Sequence, residues 1–131
     1  MQVATPENMA RRILVVDDEE VVREFIRKVL DLDHYEVELA AGSEEALTAC
    51  KGSKFDLVIM DYEMPTMKGD KLAVAIKAMV PQQPILMVTA FGEALRLDGS
   101  FPLAVNGVIS KPFDLEEFRQ AVRQISQGTK R

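Results

Sequence analysis

Asp17 and Asp18 stand side by side after the apolar run Ile13-Leu14-Val15-Val16, and Asp61 ends a second such run, Leu57-Val58-Ile59-Met60. Thr89 closes a third, Pro84 to Val88, and Lys111 follows a fourth, Gly107-Val108-Ile109-Ser110. Carboxylates, a short hydroxyl and an ammonium are the groups that handle a divalent cation and a phosphoryl group. Three carboxylates in one cleft repel one another and lose hydration, so protons or a cation must compensate. Hard oxygen donors with room for water favour Mg2+. Asp61 then has two open tasks: it serves as a ligand to the metal, or its carboxylate attacks phosphorus and becomes an aspartyl phosphate. Phosphoryl transfer asks for alignment and neutralised charge, which a metal and the ammonium of Lys111 supply. Thr89 offers a hydroxyl to a phosphoryl oxygen. Each residue also has a plainer reading taken alone, Asp17 or Asp18 as a helix cap and Lys111 as a snorkelling surface side chain; their recurrence at successive strand ends carries the argument.

These groups meet only if the runs are strands of one sheet that all end on the same edge. Short apolar runs bounded by polar turns read as buried parallel strands. Between them lie helical patterns. Val21, Val22, Phe25, Ile26, Val29 and Leu30 recur at helical spacing, with Arg23, Glu24, Arg27 and Lys28 opposite, and Glu19 and Glu20 favour the positive end of that helix. Tyr35 to Ala41 alternates as a second strand with Val37 and Leu39 on one face; Ser43 is read as the N-cap of a helix over 44–51 that Gly52 stops. After the loop 63–68, Gly69 and Asp70 lead into a helix carrying Leu72, Ala73, Ile76, Ala78 and Met79, which ends before Pro81. The stretch 91–105 is interrupted by Gly99, Ser100 and Pro102 and is expected to hold only a short, irregular element. Asp114 to Glu117 has a capping-box pattern, and Leu115, Phe118, Val122 and Ile125 mark the core face of a last helix. Five strands alternating with helices through right-handed crossovers bring the strand ends, and with them Asp17, Asp18, Asp61, Thr89 and Lys111, to one edge of a parallel sheet. Successive strand residues face opposite ways, so Asp17 and Asp18 share a site only where the first strand is ending.

A chain of 131 residues with 47% hydrophobic content is sized for one domain with its own core. Net charge of -5 lacks the electrostatic footprint of a nucleic-acid binder. The single Cys50 rules out an internal disulfide and a cysteine-rich zinc site; it lies in the apolar phase of its helix and reads as a buried thiol. No apolar stretch reaches the roughly 20 residues of a membrane span, and residues 1–11 read as a flexible leader without the apolar core of a signal peptide. His34 falls in a turn and reads as a solvated loop residue. The expectation is a soluble, cytoplasmic protein, monomeric or weakly dimeric, with the functional domain over 12–126 and a tail over 127–131.

Val15-Val16-Asp17-Asp18-Glu19, Met60-Asp61-Tyr62-Glu63-Met64-Pro65, Val88-Thr89-Ala90 and Ser110-Lys111-Pro112-Phe113 together resemble the receiver domain of two-component response regulators, over about residues 12 to 126. The resemblance implies an α/β, flavodoxin-like, doubly wound sheet of five parallel strands in the order 2-1-3-4-5. It implies that Asp61 is the phosphoacceptor, served by a histidine kinase or a histidine phosphotransfer protein, with an unassigned protein target downstream. Mg2+ would be held by Asp18, Asp61 and the backbone carbonyl of Glu63, with Asp17 acting partly through water. Lys111 would pair with the phosphoryl group, Thr89 would move to bond it, and Pro112 would follow a cis peptide.

The chain departs from that pattern in places. Val108 stands where receivers usually carry an aromatic or histidine, so a ring that reports the state of Thr89 is not expected. Reordering of the 90–105 segment is the expected switch instead. Glu63 and Phe91 are expected to flank the route of attacking water, with Phe91 shielding the acyl phosphate. Other readings fit less well. A flavin-binding relative of this architecture would want phosphate-binding donors where Asp17 to Glu20 place four acids, and a haloacid-dehalogenase-type phosphatase would want a second Asp where Glu63 stands. A receiver-like scaffold that works by binding alone is the remaining alternative.

Overall fold

The computed structural model describes residues 11–90 and 104–127. Its elements are β1 (Arg12–Val16), α1 (Glu20–Leu32), β2 (Glu36–Ala40), α2 (Ser43–Gly52), β3 (Leu57–Asp61), α3 (Gly69–Met79), β4 (Ile85–Thr89), β5 (Gly107–Ser110) and α4 (Leu115–Gln127). All five strands are parallel, in the order β2-β1-β3-β4-β5. The parallel sheet is the one expected from the alternation of elements, and the strand order is the one the resemblance implies.

Period-two alternation sorts the strand residues into two cores. Leu14, Val16, Val58, Met60, Ile85, Met87 and Val108 face α2 and α3, where they meet Ala46, Cys50, Leu72, Ala73 and Ile76. Ile13, Val15, Leu57, Ile59, Leu86, Val88 and Ile109 face the other way, onto Ile26, Val29 and Leu30 of α1 and Phe118 and Val122 of α4. Both faces of the three central strands are thus dry, which is why these strands read as continuous apolar runs. Burial also pushes the Cys50 thiol above its ordinary pKa, as expected of a packed, unreactive cysteine.

Helix faces are narrower than their apolar composition suggests. In α1, Ile26, Val29 and Leu30 are buried but Val21 and Phe25 are exposed; in α4, Leu115 is exposed while Phe118 and Val122 are buried. Ala78 and Met79 likewise lie at the exposed end of α3. In α1 and α4 the buried residues begin at Ile26 and Phe118, beyond the helix start, whereas α2 and α3 are buried from their first residues, Ser43 and Gly69. Ser43 is the first residue of α2 and is buried, with Gly42 as the N-cap and Ser53, not Gly52, at the C-cap. The side chain at work there is Glu45, whose Oε1 accepts the Ala41 N–H at 2.8 Å. The cap of α4 does match its pattern: Asp114 Oδ2 accepts the Glu117 N–H at 3.0 Å. That helix runs to Gln127. The irregular element and Phe91 expected between the fourth and fifth strands, most of the leader, and residues 128–131 lie outside the described residues.

α1 ends where His34, exposed as expected, takes a positive φ of 69°, letting the Tyr35 N–H reach back to the Leu30 carbonyl at 3.2 Å. At the same end, Arg119 of α4 grips Asp33 with two bonds, Nε to Oδ2 at 2.9 Å and Nη2 to Oδ1 at 2.6 Å. The pair ties together the two helices that cover one face of the sheet. It holds the Asp33 carboxyl below its ordinary pKa, first through the hydrogen bonds and then through the charge of Arg119. A carboxylate depressed in the folded state stabilises it above the unfolded pKa of about 3.9 and loses that effect as pH falls through the lower folded value. Arg119→Ala is therefore expected to lower the melting temperature at pH 7. In thermal scans from pH 7 down to 2.5, the gap to wild type should shrink below pH about 3.9 and close under acid.

Candidate functional site

The parallel register staggers the strand ends so that polar groups from separate strands converge. Val16 of β1 pairs with Met60 of β3, so Asp17, one step beyond, comes level with Asp61. Asp61 pairs with Val88 of β4, which sets Thr89 one step further, and Thr89 pairs with Ser110 of β5, which sets Lys111 a step further again. The Lys111 N–H still donates to the Thr89 carbonyl at 2.8 Å, and the Lys111–Pro112 peptide is cis.

Asp17, Asp18 and Asp61 bring carboxylate oxygens within 4.8 Å of one another. Asp17 is 2% exposed and Asp61 8%, whereas Asp18 is open to solvent, so the cluster has dry walls and one wet side. Thr89 is fully buried at the end of β4. Lys111 reaches into the cluster from β5 and lies 3.2 Å from Asp61 Oδ2 and 3.6 Å from Asp17 Oδ2. Burial pushes the Asp17 carboxyl above its ordinary pKa, and the charges of Asp61 and Asp18 add to this; the Glu19 N–H and Lys111 oppose it without cancelling it. Burial works against the Lys111 ammonium too, but the charges of Asp61 and Asp17 and its hydrogen bonds to both hold it above the ordinary lysine value. The site is therefore short of positive charge. Three hard carboxylates with one side open to water form a donor set suited to Mg2+ and not to a soft metal.

The loop beyond β3 is built close to the Asp61 carboxylate. The Glu63 N–H donates to Asp61 Oδ1 at 3.3 Å, while the Glu63 side chain turns outward to Lys68 Nζ at 3.1 Å. Lys68 also sits 5.7 Å from the centre of the Tyr62 ring. Gly69 closes this loop: its N–H donates to the Tyr62 carbonyl at 2.8 Å, and a Cβ there would lie 2.6 Å from the Asp61 carbonyl oxygen and 2.9 Å from Tyr62 Cα. Both obstacles are backbone, so neither can swing away.

A family model of the response regulator receiver domain matches residues 13–123. The chain belongs to this family. Among similar receivers, the response regulator TrrA of Thermotoga maritima, solved in complex with Mg2+-BeF, is 35% identical and superposes with a TM-score of 0.80 over 88% of this chain and 98% of its own. The chemotaxis protein CheY4 of Vibrio cholerae is 30% identical, with a TM-score of 0.79 over 89% of this chain and 99% of its own. Response regulator MprA of Mycobacterium bovis is 33% identical over 122 residues, which cover 93% of this chain and 53% of MprA. The receiver thus spans about half the length of the curated relatives it matches. Receivers are signalling modules of two-component systems and work with histidine kinases; among the described residues of this one, no helix is long and apolar enough to cross a membrane.

Asp17, Asp18, Asp61, Thr89 and Lys111 stand at strand ends on one edge of the sheet, Phe91 lies outside the described residues, and Val108, at the place usually aromatic, is buried in the core layer facing α2 and α3. Two contributors carry no signal in the sequence: Gly69, because a steric vacancy leaves no trace in composition, and Arg23, whose place on the polar face of α1 does not reveal that its side chain turns back to the strand end. Gly69→Ala is expected to force the loop off Asp61 and destabilise the fold by about 1–3 kcal/mol, the usual range for overpacking. Thermal denaturation should show the loss, and phosphorylation of the folded variant should be slower than wild type.

Proposed function

We propose that Asp61 accepts a phosphoryl group from a phosphohistidine, on a histidine kinase or a histidine phosphotransfer protein, and that the resulting change is passed to a downstream protein. The observation that carries this reading is the position of Lys111 Nζ between Asp61 Oδ2 and Asp17 Oδ2 in an acidic cluster at the strand ends. An Asp61 oxygen forms the new P–O bond as the P–N bond of the donor breaks and the imidazole leaves with the bonding pair. Lys111, charged throughout the physiological range, balances the negative charge that gathers on the phosphoryl oxygens. Asp17, Asp18, Asp61 and the carbonyl of Glu63 are the groups that would hold Mg2+, which when bound would offset the same charge; the similar receiver TrrA was solved in complex with Mg2+-BeF. The Glu63 N–H fixes Asp61 by its other oxygen, so that the attacking oxygen has one orientation. Thr89, buried at the end of β4, supplies the hydroxyl that bonds the transferred group and couples it to that strand. The receiver is read as one domain over 12–126, cytoplasmic, monomeric or weakly dimeric, and without direct contact to nucleic acid.

Incubation with acetyl phosphate and Mg2+ is expected to add one labile phosphoryl group, read by intact-protein mass. Asp61→Asn and a metal-free sample should show none. An Asp61→Asn protein that still gains the group would overturn the assignment, and no adduct on a wild type that binds Mg2+ would favour a scaffold that works by binding alone. Lys111→Met separates charge balance from metal binding. It removes the one cation paired with Asp17 and Asp61 among the described residues, so Mg2+ should bind more tightly in a calorimetric titration while phosphorylation slows by at least about tenfold.

A further inference from the structure

Neighbouring residues of an extended strand point to opposite faces, so Asp17 and Asp18 can face one ligand only if the backbone turns between them. β1 ends at Val16 and the turn follows at once. The Asp17 N–H still continues the ladder to β2, donating to the Ala40 carbonyl at 3.2 Å. Its carbonyl is taken by a side chain: Arg23 Nη1 donates to it at 2.6 Å. On the other side of the turn, Asp17 Oδ1 accepts the Glu19 N–H at 2.9 Å. The Glu19 carbonyl in turn accepts the Arg23 N–H at 3.0 Å, in the first turn of α1. Arg23 therefore closes a ring, its backbone fixed by Glu19 and its guanidinium reaching back six residues to the strand end.

We infer that Arg23 is a positioning residue for the metal site, holding the Asp17–Asp18 turn so that three carboxylates present their oxygens together. The inference rests on the reading of Asp17, Asp18 and Asp61 as a Mg2+ site. Among the described residues Arg23 pairs with the Asp17 carbonyl and makes no ion pair with a carboxylate, which separates its role from that of Lys111. A guanidinium–carbonyl bond is charge-assisted, roughly twice as strong as a neutral one, and rigid enough to set a backbone turn.

The sign of the effect distinguishes positioning from electrostatics. Removing a positive charge near a cation site strengthens cation binding through Coulomb attraction alone, whereas releasing the turn weakens it. Calorimetric titration with Mg2+ is the test, on wild type, Arg23→Met, Arg23→Lys and Arg27→Met, each with a melting scan in the absence of Mg2+. Arg27 is one turn further along α1 and is paired with Glu24 and Asp31, so it reports the effect of charge alone. Arg23→Met is expected to bind Mg2+ about tenfold more weakly, the scale of one charge-assisted bond. Arg23→Lys, which keeps a charged donor, should return to within about threefold of wild type, and Arg27→Met should match wild type or bind slightly more tightly. Equal or tighter binding by folded Arg23→Met overturns the inference, as does a lower melting temperature with wild-type affinity. Should Arg23→Met not fold, Arg23→Gln carries the same expectation. A wild type that binds no Mg2+ overturns the metal reading itself, and the positioning role with it.

Discussion

Mutual repulsion among the carboxylates at the strand ends is the constraint to which the rest of the receiver answers. Asp17 and Asp61 are both nearly buried, and two like charges a few ångströms apart in such surroundings cost a few kcal/mol at an effective dielectric of about 20. Lys111 offsets part of that cost and, by its own raised pKa, is itself held charged by the acids it serves. What remains uncompensated gives the site its affinity for a cation and for the charge changes of phosphoryl transfer. A site under this strain exists only because the fold does not allow its members to move apart.

The scaffold resists through two dry layers and a few exact contacts. Three central strands packed on both faces set the stagger of Asp17, Asp61, Thr89 and Lys111 along the sheet edge. The Gly69 backbone against the Asp61 carbonyl fixes the loop on one side, and Arg23 on the Asp17 carbonyl fixes the turn on the other. Both contacts act on the backbone next to an acid and leave its carboxylate free for chemistry. Thr89 is joined to this edge through β4, and its neighbour across the sheet is Ser110, the residue before Lys111. Met87, Val105 and Val108 belong to the core layer on the α2 and α3 side of the sheet, with Val108 aliphatic where an aromatic ring is usual.

Most of the architecture was legible in the sequence because it follows from periodicity. Continuous apolar runs such as Leu57 to Met60 announce strands buried on both faces, and strands alternating with helical patterns leave few topologies open. The acids were legible for the same reason: a charge that ends an apolar run must sit where the strand leaves the core. Helix faces were read less well. Val21, Phe25 and Leu115 keep the spacing of core residues yet lie exposed, since periodicity gives a face but not how far the neighbouring sheet extends beneath it. Ser43 has the chemistry of a cap but is buried as the first residue of α2, while Glu45 makes the bond.

From residue types and order alone came the parallel α/β sheet, the convergence of Asp17, Asp18, Asp61, Thr89 and Lys111, and the hard-oxygen character of the site. These are properties of single positions and of local repeats, which a linear string contains. Tertiary structure alone decided the 3.2 Å and 3.6 Å reach of Lys111, the burial that sets Asp17 apart from Asp18, the outward turn of Glu63 to Lys68 and the return of Arg23 to the strand end. Each depends on a distance between chain segments, and such distances follow from how helices and sheet pack together, which no pattern within one segment records.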